Sequence, residues 1–305
     1  MKPKLLIPAL IASLSAACGG AGSNDNSPNS QPPPSVTLMS ITDENSLELA
    51  RAAAKQLSRF LPTSYAFIND TNFYNDLFSV SPFEDAMIDC ADGGSIFRPA
   101  ITIGSSETYY DANACDDTSV SGWFIDGEIS VDHDVLVTMQ LTANFPGETF
   151  LINGCSYAGN FRYSLANPLE ALSATSLNNG FRYACGEELL INLGANSEVS
   201  FDGTSELFSA SGLLHPFPNS DGVNFHTNTL HYPVPTPPFG ELVDLVSAVS
   251  AHCPSAGTLT LTGAGGSQAS IHFDATSPTE AVVVHGPDGY VEAFTCSGFL
   301  EIVIL

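Results

Sequence analysis

Apolar residues return at two different periods along this chain, and the change of period divides it. Over residues 45–62, Leu47, Ala50, Ala54, Leu57 and Leu61 recur at the spacing of one helical face, with Asn45 and Glu48 placed as a capping box and Pro62 as the stop. That predicts one short amphipathic helix. Beyond Pro62 the period drops to two: Val135, Val137, Met139, Leu141, Ala143 and Phe145 alternate with Asp134, Thr138, Gln140, Thr142 and Asn144. Leu189, Ile191, Leu193, Ala195, Val199 and Phe201 read as one further run, and Leu259 and Leu261 sit between threonines. An apolar face and a polar face on the same strand is what antiparallel sheet with one solvated side produces. The pairs and triplets Asp92-Gly93-Gly94, Asp126-Gly127, Asn178-Asn179-Gly180, Asp202-Gly203, Asp221-Gly222 and Asp288-Gly289 read as hairpin turns. Residues 241–250 fit a second helix and a buried strand equally well. The fold class expected is mainly β: an antiparallel, elongated or curled sheet system, sandwich or open barrel-like, with one short N-terminal helix. A closed transmembrane barrel is disfavoured by acidic strand faces and by the number of cysteines.

The leading segment follows neither period. Lys2 and Lys4 precede an apolar run at residues 5–17, which is an export signal and is shorter than the ~20 residues a membrane helix needs. Its end, Leu14-Ser15-Ala16-Ala17-Cys18, resembles the lipobox of bacterial lipoproteins, with Ser15 where that motif usually has Leu. The resemblance implies that cleavage leaves Cys18 as the first mature residue with lipid on its sulfur, and that Gly19 after it directs the product to the outer membrane. The alternative is an ordinary signal peptide with Cys18 close to the cut. Residues 19–35 are Gly, Ser, Asn and Pro in the main, too polar to pack. As a flexible coil, residues 18–44 reach about 30 Å from an anchor.

Cysteine and charge narrow the compartment and the partners. Setting Cys18 aside leaves Cys90, Cys115, Cys155, Cys185, Cys253 and Cys296, an even set without zinc-type spacing, which reads as three disulfides. Sequential pairing is favoured because each pair brackets one block of strands, Cys155 with Cys185 being the least secure because a separate strand around residues 171–177 would hold them apart. The chain has 8 Lys and Arg against 33 Asp and Glu, a formal charge of −25. Asp and Glu stand near their ordinary share, so the imbalance is a depletion of bases, and it excludes binding to nucleic acid by phosphate neutralisation.

Few residues offer chemistry. Lys55 is the one lysine after the signal, and no G-x-S-x-G or H-E-x-x-H occurs. Asp132-His133-Asp134 is no triad, because strand alternation turns His133 away from both aspartates. The same alternation puts Asp126, Glu128, Asp132 and Asp134 on one face, an acidic ladder that either binds Ca2+ with help from Asp111, Asn113, Asp116 or Asp117, or is a solvated face discouraging aggregation. Six of the seven histidines follow residue 214 and none forms a close pair in sequence, so zinc would need three converging segments. Phe161-Arg162-Tyr163 and Phe181-Arg182-Tyr183 place Arg162 and Arg182 beside aromatics, as an anion or sugar platform or as cations committed to surplus carboxylates. Arg51, Lys55 and Arg59 form a stripe on the helix that faces either anionic lipid or those same carboxylates.

Residues 41–46 (Ile-Thr-Asp-Glu-Asn-Ser), 90–95 (Cys-Ala-Asp-Gly-Gly-Ser) and 254–264 (Pro-Ser-Ala-Gly-Thr-Leu-Thr-Leu-Thr-Gly-Ala) resemble uncharacterised proteobacterial lipoproteins. That likeness implies cysteine-bracketed β repeats followed by a C-terminal β unit, and no activity. The organisation expected is signal peptide at 1–17, lipidated Cys and tether at 18–44, amphipathic helix at 45–62, disulfide-linked antiparallel β region at 63–235 and C-terminal β unit at 236–305. The function expected is a membrane-anchored exported lipoprotein of the outer membrane, facing periplasm or cell surface. It would bind an envelope protein, a glycan or a cation without catalysis, or serve a structural role. The alternatives are an exported hydrolase with a dispersed Asp, Ser and His site, and a curled sheet carrying lipid.

Overall fold

The computed structural model describes residues 36–69, 85–100, 107–119, 123–134, 139–166, 171–202, 205–232, 253–277 and 279–299. One helix, α1 (Asp43–Asn69), precedes a single antiparallel sheet of fifteen strands. They are β1 (Ala86–Asp89), β2 (Gly93–Arg98), β3 (Glu107–Asp117), β4 (Trp123–Asp134), β5 (Met139–Ile152), β6 (Cys155–Ala166), β7 (Ala171–Cys185), β8 (Glu188–Leu193), β9 (Glu198–Asp202), β10 (Leu207–Leu214), β11 (Val223–His231), β12 (Ala256–Thr262), β13 (Gln268–Asp274), β14 (Val282–His285) and β15 (Val291–Phe294). Each strand pairs with its neighbours in chain order, except that β8 and β9 both lie between β7 and β10. β1 and β15 end the path without pairing to each other, so the sheet is a partial ring and not a closed barrel. The pairing of β11 with β12 carries it unbroken across residue 235.

The alternation read from the sequence is the reason one face is buried. In β11, Val223, Phe225 and Thr227 are buried and Asn224, His226 and Asn228 are exposed; in β13, Ala269, Ile271 and Phe273 are buried. Over part of the sheet that face is covered by α1. The helix touches β6, β7, β8 and β9 and also β13 and β14, strands so far apart in the path that only a curled sheet brings them to one helix. Its buried stripe is Ser46, Leu49, Ala50, Ala53, Gln56, Leu57, Phe60, Leu61 and Ser64, spaced by three and four. Phe60 meets Phe181 with ring centroids 5.5 Å apart, and Phe181 continues into Phe161 at 5.0 Å and Phe145 at 6.5 Å. The Gln56 side chain, 2% exposed, donates to the carbonyls of His215 and Pro216 at 3.0 and 3.3 Å and accepts the Asn192 N–H at 2.7 Å.

Both helix ends differ from the expectation of 45–62. Thr42 takes the cap position, its carbonyl receiving Ser46 N–H at 3.0 Å, while Asn45 accepts the Thr42 N–H at 2.8 Å from inside the first turn. At the other end the helix continues past Pro62 to Asn69. A proline inside a helix costs about 3 kcal/mol in a lost hydrogen bond and ring clash. Burial of Phe60, Leu61 and Ser64 on either side opposes that cost, and Ser64 donates to the Phe60 carbonyl at 2.8 Å.

Three segments read as strand or turn have the opposite role. Asn178-Asn179-Gly180 lies inside β7 as a bulge, for Phe161 pairs with Ser176 and Gly159 with Phe181. Gly180 has φ 71°, and a Cβ there would stand 2.4 Å from the Leu193 carbonyl oxygen. Asp126-Gly127 lies inside β4, opposite a bulge in β3. The run 189–201 is broken into β8 and β9 by a turn at Ala195-Asn196, where Asn196 adopts φ 58°. Two fully buried hydroxyls close that break. Ser176 Oγ donates to the Gly194 carbonyl at 2.6 Å and accepts Ser197 N–H at 2.9 Å; Ser197 Oγ donates to the Leu213 carbonyl at 2.8 Å and accepts Leu213 N–H at 2.9 Å.

The disulfides pair sequentially: Cys90–Cys115, Cys155–Cys185 and Cys253–Cys296, with Cα separations of 5.5, 4.0 and 5.8 Å. Cys155 and Cys185 stand directly opposite each other in the ladder because residues 171–177 belong to the same strand as Cys185. Each bond closes a loop of 25 to 43 residues and contributes roughly 3–4 kcal/mol through the unfolded chain. The expected outcome of Ser197→Ala is a loss of about 1–3 kcal/mol, since it removes the hydroxyl that accepts the Leu213 N–H and one of the two donors to the Leu213 carbonyl, which keeps the Gly194 N–H. Urea unfolding checks this: the midpoint should fall at unchanged slope, whereas Ser209→Ala, on the exposed face of β10, should stay within ~0.5 kcal/mol.

Candidate functional site

The outward face of β11 to β14 concentrates short neutral hydrogen-bonding side chains. Register places His226, Thr260, Ser270 and His285 in one row across the four strands, and Asn228, Thr258 and His272 in the next. Hairpin pairing brings His272 and His285 together diagonally, with ring centroids 5.0 Å apart and planes at 86°. Thr258 Oγ1 lies 3.1 Å from His272 Nδ1 and Ser270 Oγ 3.1 Å from Nε2. One nitrogen of a neutral imidazole donates and the other accepts, and both hydroxyls can rotate to match either tautomer. Partial burial, and then the neighbouring His285 ring, hold His272 below the ordinary histidine value of 6.5. Reading the sequence missed this pair because its members stand thirteen positions apart. The available signal was phase: Ser270 and His272 alternate with Ala269, Ile271 and Phe273, so both point outward toward whatever strand follows.

The acidic ladder is engaged locally. Asp126 accepts the Ala114 N–H at 2.9 Å, closing the bulge in β3. Glu128 accepts the hydroxyl of Tyr109, which burial, this bond and the charges of Glu128 and Asp111 push up to about 12. Ser130, in the same phase, is buried, so the face is not uniformly solvated. The side chains of Asp132 and Asp134 lie outside the described residues, as does that of His133. The carboxylates expected to assist have other work: Asp116 accepts from Thr118 N–H at 3.1 Å and its hydroxyl at 2.7 Å, and Asp117 from Ala91 N–H at 3.1 Å. Among the described residues no three His, Cys, Asp or Glu side chains gather into a metal-binding group.

Arg162 and Arg182 are exposed, with Phe161 and Tyr163, and Phe181, buried beside them. Arg162 stands opposite Thr142 and Thr175, and Arg182 opposite Ala158 and Asn192, four positions apart along β6 with a bulge between, so they form no common clamp. On α1, Lys55 and Arg59 both pair with Glu188, the second at 3.5 Å, and the Lys55 hydrogen bond chiefly holds the Glu188 carboxyl below its usual value. Arg51 lies 5.2 Å from the centre of the Phe294 ring. The helix bases thus meet carboxylate and aromatic groups of the sheet. Asp43, in the first turn of α1, accepts the N–H groups of Asp288 and Tyr290 at 3.1 and 3.3 Å and so fastens the turn between β14 and β15. Cys18, residues 19–35 and residues 241–250 lie outside the described residues. No helix among the described residues is long and apolar enough to cross a membrane.

The arrangement defines a disulfide-stapled, partly wound antiparallel sheet closed over a helix. No protein-family model, no curated protein and no solved structure matches the chain. Three disulfides form and persist in an oxidising compartment, which places the folded chain outside the cytoplasm.

His272 gives this face a pH signature. A depressed value means that, just below pH 6.5, the folded chain binds fewer protons than the unfolded one, so stability is full above that pH and falls as pH drops through it. Thermal melting between pH 7.5 and 5.5 should show this decline. His272→Gln should flatten it, and equal slopes in wild type and His272→Gln would refute the assignment.

Proposed function

We propose that the chain is an exported lipoprotein, anchored through Cys18 in the outer membrane, that acts without catalysis as a binding or structural component of the envelope. The observation that carries this reading is the cysteine census. Six of the seven cysteines are consumed in three intramolecular pairs, which leaves none of them to pair with Cys18. An odd cysteine at the end of an export signal is then explained by attachment of lipid. The Gly- and Pro-rich stretch after it supplies the distance from the bilayer.

The interior supports a binding role over the carriage of lipid. The apolar stripe of α1 and the buried rings of Phe60, Phe145, Phe150, Phe161 and Phe181 occupy the inner side of the sheet. Recognition therefore falls to the outer surface, where neutral amides, hydroxyls and imidazoles of β11 to β14 suit an envelope protein, a glycan or a cation.

Fractionation of cells producing Cys18→Ser tests the anchor. The variant should move from the membrane pellet to the soluble exported fraction with its three disulfides intact. Retention in the membrane through high-salt and carbonate washes would overturn the reading.

A further inference from the structure

We propose that His272 and His285 form a two-imidazole binding site for a divalent first-row transition metal ion whose remaining positions are filled by water. This goes beyond the anchoring role and does not depend on it. Nitrogen ligands stand about 2.0–2.1 Å from such an ion, so two imidazole nitrogens on one ion are no more than ~4.2 Å apart. Rings with centroids 5.0 Å apart reach that spacing by side-chain rotation alone, without movement of the strands. The strands themselves are fixed, since β13 pairs with β14 through four consecutive residues and with β12 through seven.

The surroundings favour a cation of this class. Thr258 Oγ1 at Nδ1 can hold one nitrogen of His272 as the donor, which leaves Nε2 with the lone pair that binds metal. Ser270 Oγ stands beside Nε2 and directly opposite His285 in the ladder, where it orients a bound water or yields its place. β11 to β14 carry no Lys or Arg, so no fixed positive charge on these strands competes, and the field of a chain with net charge −25 draws cations in. Imidazole pairs prefer Cu2+, Ni2+ and Zn2+ over Mg2+ and Ca2+, which need oxygen ligands that this face does not gather. His226 shares the face but lies three strands from His285 in its row, about 14 Å away, too far to join.

The test is calorimetric titration of Zn2+ and Ni2+ into the oxidised chain carrying Cys18→Ser, which removes the thiol outside the disulfides. One ion should bind per chain, with Mg2+ and Ca2+ giving no saturable heat. His272→Asn and His285→Asn should each weaken binding by about tenfold or more, because the second imidazole acts at high effective concentration, and His226→Asn should leave it unchanged. A readout on the unmutated histidines guards against misfolded variants: Zn2+ should shift the imidazole NMR signals of His272 and His285 together and spare His226. Absence of saturable binding, equal weakening by His226→Asn, or equal shifts at all three rings would overturn the site.

Discussion

An open antiparallel sheet has to cover its apolar face, and here one helix does so for β6 to β9, β13 and β14. A barrel solves the problem by joining its first strand to its last; this chain leaves β1 and β15 apart and winds the sheet around α1 instead. The helix is suited to the task by Ala50 and Ala53, which let it approach closely, and by Leu49, Leu57, Phe60 and Leu61, each of which stabilises by about 1.5–3 kcal/mol when fully buried. Apolar burial alone tolerates sliding. Gln56 removes that freedom, because its amide meets an N–H of β8 and two carbonyls beyond β10 at once, which fixes both rotation and height of the helix against the sheet. Asp43 at one end and the Lys55 and Arg59 pairs with Glu188 further along add directional contacts, the latter exposed and worth about 0.2–1 kcal/mol each.

Scarcity of bases gives these contacts their weight. Of the eight Lys and Arg, two lie in the leading segment, and three of the remaining six sit on α1. Most carboxylates must therefore be accommodated without a cation, and the structure does so through N–H and hydroxyl donors in turns and bulges: Ser119 for Asp92, Ala114 for Asp126, Thr276 for Asp274. Such bonds lower the carboxyl values of Asp92 and Asp274 locally and do nothing for long-range repulsion. A surface of this kind relies on dissolved ions for screening.

The sheet, its solvated side and the cysteine pairing were legible because each depends on short-range patterning. Period-two alternation in residues 139–145, 198–202 and 256–262 has one structural meaning when turns punctuate it, and cysteines that bracket hairpins meet across them. The breaks were not legible, because their causes are distant. Ala195-Asn196 turns where the pattern of residues 189–201 continues, and it can do so because Ser176, some twenty residues earlier, supplies the missing hydrogen bonds. Likewise Pro62 stops a helix in isolation but not one held by buried Phe60, Leu61 and Ser64 on either side. The histidine pair is a product of register: moving β14 by one residue against β13 would place the His285 ring on the inner face. Of the ladder from Asp126 to Asp134, spacing along the strand was readable, but the claims of neighbouring N–H and O–H groups on Asp126 and Glu128 were not.

The stretch just before α1 makes hydrogen bonds to two turns of the sheet: Thr37 and Met39 to Gly222, and Met39 to Ala264. Leu38 forms a parallel bridge with Gly222 there, and Ile41 N–H reaches Ser267 Oγ at 2.9 Å. A pull on the chain from residue 36 therefore meets these bonds before it reaches the helix. Tension arriving from the N-terminal side is delivered into the body of the sheet at β11 to β13, and the helix that fills its interior stays out of the load path.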